Sequence, residues 1–139
     1  MNTPRRAGYR YLTIALVFFL AACQQDISSV IQTEDTLTLQ IYEPHSPVFT
    51  TTIAKGSDGY GALVEWAQNN HEGWSPSITT YVPHVLIIGR TFQLNITSSK
   101  AIYGHNTEQY EKPISAQDFE ALRTSLLPAL PLYSPNRAE

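Results

Sequence analysis

The chain has 139 residues and a formal net charge of −3, from nine basic and twelve acidic side chains. Three of the basic residues, Arg5, Arg6 and Arg10, fall in the first ten positions, so the part after Cys23 carries about −6 and lacks the basic stripe that nucleic acid requires. Cys23 is the only cysteine, which excludes an internal disulfide, and the remaining length suits one small domain with a modest core.

The N-terminal arginines are followed by the apolar run Tyr11–Leu20, the small pair Ala21-Ala22, and Cys23. That charged, apolar, small-residue order is the order of an exported precursor. Its apolar core of about ten to twelve residues is short of the roughly 18–20 that span a bilayer, so a processed signal is expected over 1–22. Leu20-Ala21-Ala22-Cys23 resembles the lipobox of bacterial lipoproteins. The resemblance implies cleavage before Cys23, a diacylglyceryl group on its sulfur and a fatty acyl chain such as palmitate on the new N-terminus. Two attachments agree with the physics, since a single acyl chain gives only marginal, reversible membrane binding. Gln24, rather than Asp, after the cysteine implies the outer membrane, with the domain facing the periplasm.

Residues 23–35 are polar apart from Ile27, Val30 and Ile31, and read as a lipidated tether. Leu37–Tyr42 alternates with period two and predicts a half-buried strand, and Val48–Ile53 predicts a second, with Glu43–Pro47 as the connection. Ser57 or Asp58 caps a predicted helix to about Asn70, with Tyr60, Leu63, Val64 and Ala67 on one stripe and Gly73 as a left-handed turn residue. Val85–Ile88 and Thr91–Thr97 flank Gly89-Arg90, which predicts a hairpin with a type II′ turn. The first arm is apolar on both faces and is expected to be central; Ala101–Gly104 offers a short further strand. Ser115 with Asp118 three residues on, before Phe119, Leu122 and Leu126, predicts a last helix ended by Pro128. The expected fold is α+β, a small antiparallel sheet of four to five strands with two helices packed on one face, spanning 36–130 as a single domain. Pro131 and Pro135 predict an extended C-terminal tail over 131–139.

No catalytic or metal constellation stands out, and neither a cofactor nor a metal is expected. His45, His71, His84 and His105 lack metal-ligand spacing and read as surface loop residues, and no serine sits in a G-x-S-x-G elbow. The most distinctive stretch is Tyr60-x-x-Leu63-x-x-Trp66-x-x-Asn69-x-x-x-Gly73-Trp74. Its tryptophans either bury area in a disulfide-free core or belong to an exposed aromatic patch, extended by Tyr81, Tyr103, Tyr110 and Tyr133. The candidate partner-binding residues are Trp66, Glu72, Trp74, Glu108 and Tyr110, with Glu65 and Glu111 as further acidic candidates for a basic rim.

The helix followed by Gly73-Trp74 and a hairpin is similar to small periplasmic lipoproteins, some of which are immunity proteins that inhibit a toxin delivered by a neighbouring cell. The resemblance covers about 40 residues, and it implies a membrane-anchored periplasmic binding protein that recognises another protein. The other expectation carried forward is a structural accessory lipoprotein of an envelope complex.

Overall fold

Ser57 and Ser115 start the two longer helices for one reason. Each side-chain oxygen accepts from a backbone N–H that would otherwise be orphaned in the first turn, Tyr60 N at 3.3 Å and Asp118 N at 3.0 Å. The computed structural model describes residues 24–127. The expected signal over 1–22, Cys23 and the expected tail over 131–139 lie outside the described residues. The chain runs α1 (Ile27–Gln32), β1 (Thr36–Ile41), β2 (Phe49–Ala54), α2 (Asp58–Asn69), β3 (Ser75–Pro76), β4 (Val85–Ile88), β5 (Phe92–Ile96), β6 (Lys100–His105), β7 (Glu108–Pro113) and α3 (Ala116–Leu126). These form an α+β fold with a seven-strand antiparallel open sheet, in the order β2-β1-β4-β5-β6-β7-β3, and three helices.

The cross-strand register sorts the sheet's side chains. Leu39, Ile87, Leu94, Tyr103 and Tyr110 make one row, and Ile41, Val85, Ile96 and Ala101 the row beside it. On this face they join Ile27 and Ile31 of α1, Leu63 and Trp66 of α2, and Phe119, Leu122 and Leu126 of α3 in one core. The opposite face carries the row Gln40, Leu86, Asn95, Ile102 and Glu111. β4 lies between β1 and β5, as its two-sided apolar sequence requires.

Three expectations are corrected. Residues 23–35 are not a free tether over their described part, because Asp26 caps α1 and Ile27 and Ile31, one turn apart, are fully buried. The sheet has seven strands rather than four to five, since the polar segment Glu108–Pro113 pairs along the whole of β6 and the short β3 then pairs with it. The β4–β5 turn is not type II′ at Gly89, whose φ is not positive. Gly89 N instead donates to Phe92 O at 3.0 Å, and the turn is made by Arg90 and Thr91. Gly89 is needed for closeness, because a Cβ there would lie 2.3 Å from the Phe92 ring. Gly73 does take the left-handed conformation expected of it, with φ +80°. No described helix is long and apolar enough to cross a membrane.

Candidate functional site

Between β3 and β4 the chain must travel from one edge of the sheet to its centre, past β7, β6 and β5. Residues 77–84 make this passage as a strap over the face opposite the helices, following the row Glu111, Ile102, Asn95 and Leu86. The strap explains why that face is not simply polar and solvated. Asn95, on the side of β5 opposite Phe92, Leu94 and Ile96, is buried beneath it, as is Ile102.

Glu111 is the fixing point. Its Oε2 accepts from the Ser77 hydroxyl at 2.8 Å and from the Tyr81 hydroxyl, and its Oε1 accepts from Lys100 Nζ at 3.0 Å. Lys100 Nζ also donates to the Tyr81 oxygen at 3.2 Å and stands 5.2 Å from the centre of the Tyr81 ring. Hydrogen bonds from Tyr81, Lys100 and Ser77 hold the Glu111 carboxyl down at about 2, and the Glu111 and Tyr81 bonds push the Lys100 ammonium up. Backbone groups complete the attachment: Gln109 Nε2 donates to Thr79 O at 2.8 Å, Ser77 N to Gln109 O at 2.9 Å and His84 N to Ile96 O at 3.1 Å.

Held in this way, the strap presents Ile78 at 102% and Val82 at 83% of full exposure. Both are aliphatic and four residues apart, on a segment whose Ser77 and Tyr81 side chains are turned to the sheet while Thr79 and Thr80 are exposed beside them. Sequence reasoning missed this surface. Ser77-Ile78-Thr79-Thr80-Tyr81-Val82-Pro83 has no strand or helix period, and Glu111, which fixes it, is about thirty residues away.

The residues expected to bind a partner are dispersed. Trp66 and Trp74 are core residues, so an exposed aromatic patch is not built from them. Trp74 packs edge-on against Tyr103 and donates from Nε1 to Asn70 O at 2.6 Å, closing the C-terminal end of α2. Trp66 Nε1 is buried without a hydrogen-bond partner among the described residues. Tyr103 is also buried, which pushes its hydroxyl up to about 12, and Tyr133 lies outside the described residues. Glu108 and Tyr110 are brought together at the start of β7, where the Tyr110 hydroxyl donates to Glu108 Oε2 at 2.9 Å. Glu72 lies elsewhere along the chain's path, its Oε1 3.4 Å from Gln24 Nε2 and 3.5 Å from His71 Nε2.

Two other features border these residues. An open groove of about 480 Å³ lies between the tips of the β4–β5 and β6–β7 hairpins, with Arg90, Asn106 and Glu108 on its walls. Behind it Glu34, 3% exposed, accepts from Arg90 N at 3.2 Å and from Arg90 Nε at 2.9 Å, fastening the first hairpin to the end of α1. The histidines are not all loop residues: His105 ends β6 and stacks on Tyr103, and His84 rests against Phe119. Among the described residues no three His, Cys, Asp or Glu side chains are gathered as a metal site. No family model matches the chain, and no curated protein or solved structure matches it.

Proposed function

We propose that this chain is a lipid-anchored binding protein of the bacterial envelope that recognises another protein through its strap, and that it inhibits an enzyme delivered into the periplasm. The observation that carries the reading is the exposed pair Ile78 and Val82 on a segment fixed through Glu111. A partner that covers both side chains removes apolar surface worth about 1.5–3 kcal/mol each. Little of that gain is spent on ordering the loop, because the strap is already attached to three strands, through Glu111 of β7, Lys100 of β6 and Asn95 of β5. The lipobox-like Leu20-Ala21-Ala22-Cys23 supports the location, and the acidic balance after it favours a basic partner rim.

The test is capture with the full-length chain extracted in detergent, followed by titration of the captured protein's activity. The expected result is a secreted enzyme held in one-to-one ratio and inhibited by the chain. Ile78→Asp and Val82→Asp each weaken capture about a hundredfold, the factor that corresponds to losing roughly 2.7 kcal/mol. Capture of envelope machinery without inhibition points to the accessory role. Capture unchanged by both variants removes the strap from the account.

A further inference from the structure

We infer that the folded domain sits directly on the bilayer surface, docked through the face around Gln24, Asp26, Gln68, His71 and Glu72, rather than swinging on a tether. The inference rests on the reading of Cys23 as the lipid attachment site. Its own evidence is the shortness of the chain between that residue and the fold. Gln25 N donates to His71 O at 2.9 Å, and Ile27, two residues on, is fully buried in the core. Two residues of extended chain span at most about 7 Å. The headgroup layer on each side of a bilayer is about 5–7 Å thick, taking half the difference between total and hydrocarbon thickness. An acylated Cys23 therefore uses up its whole reach inside the headgroup layer, and the fold begins where that layer ends.

The face this brings down is fitted to headgroups. Gln24, Gln25, Asp26, Ser28, Gln68 and His71 line a hollow of about 340 Å³ beside Glu72. Its walls offer three carboxamides, a hydroxyl, the Asp26 carboxylate and the His71 imidazole, and contain no lysine or arginine. Hydrogen bonding from Ser29 and Ser28, whose backbone N–H and hydroxyl respectively each lie 3.1 Å from Oδ1, keeps the Asp26 carboxyl below its ordinary range. Carboxylates and carboxamide oxygens suit the ammonium of ethanolamine headgroups, and the Asp26 and Glu72 carboxylates are repelled by purely anionic lipid. α2 reaches this face with its C-terminal end: Gln68 lines the hollow, and the exposed Gly61, two turns earlier on the same stripe, lies about 10 Å away along the helix.

That pair supplies the test. The full-length lipidated chain is reconstituted into vesicles of phosphatidylethanolamine with a minor share of phosphatidylglycerol, carrying a spin label at Gln68→Cys or Gly61→Cys. Collision with a membrane-impermeant nickel chelate is then measured, with and without a short Gly/Ser insertion after Gln24. The expected result is a Gln68 label shielded several-fold relative to the Gly61 label, and released by the insertion. Equal accessibility at the two positions, or no effect of the insertion, overturns direct docking while leaving the anchor intact. The mass of the N-terminal peptide separates the two failures: an unmodified Cys23 overturns the anchor and the docking together.

Discussion

Replacing Ile31 with alanine asks whether α1 belongs to the fold. The Ile31 side chain is fully buried in the core, on a helix packed against α2, and its carbonyl oxygen lies 2.7 Å from the Tyr60 hydroxyl. The substitution removes three buried carbons, about 2.4 kcal/mol at about 0.8 kcal/mol each, and incomplete closure of the cavity adds about 1 kcal/mol. The expected loss is thus about 3.5 kcal/mol. A domain the size of residues 24–127 has an unfolding entropy of about 0.2 kcal/mol per kelvin, so its melting temperature falls by roughly 15 °C. Calorimetry or urea unfolding reads this directly. Gln32→Ala, exposed on the same helix, is the control and stays within about 0.5 kcal/mol of wild type. A loss at Ile31 no larger than the control refutes the placement of α1 in the core, and the short reach from Cys23 to the fold fails with it.

Three further outcomes follow from particular contacts. Glu111 has a carboxyl held at about 2 in the fold against 4.5 in an unfolded chain. Its contribution is complete above pH 4.5 and disappears as pH falls toward 2, so a plot of melting temperature against pH drops more steeply there for wild type than for Glu111→Gln; parallel curves count against the network. Gly89→Ala drives a Cβ into the Phe92 ring and costs about 1–3 kcal/mol, whereas Gly61→Ala, on the open side of α2, gains about 0.5–1 kcal/mol by thermal unfolding. Trp74→Phe deprives Asn70 O of its donor, while Trp66→Phe discards an N–H without a described partner, so the first is the more destabilising by about 1 kcal/mol in urea titration; the reverse order contradicts the packing.

The parts of the fold that could be read from the sequence are those whose cause is local. Ser57 and Ser115 announce their helices because the capping oxygen and the N–H it satisfies are three residues apart. The period-two patterns of β1 and β5 expose their faces for the same reason. α1 was obscure because six residues are too few for a helical period and propensity does not hold so short a helix. Its stability comes from Ile27 and Ile31 meeting the core, and from Asp26 at its cap. β7 was obscure because Glu108-Gln109-Tyr110-Glu111-Lys112-Pro113 is poor strand material by composition; it is a strand because β6 lies beside it and Asn106 turns the chain with φ 55°. The strap was the least legible, since its order depends on Tyr81 and Ser77 reaching a carboxylate on another strand. Of the candidate site, Glu108 and Tyr110 were found together, but the tryptophans chosen for their contact potential serve the core.

The central claim is that the strap contacts a protein, and a photo-crosslinking residue at Ile78 of the membrane-anchored chain tests it most directly. The account predicts one discrete protein adduct from position 78 that is lost when Val82→Asp is added and is not formed from the exposed Thr52 of β2. Adducts to lipid alone, or the same adducts from both positions, contradict it.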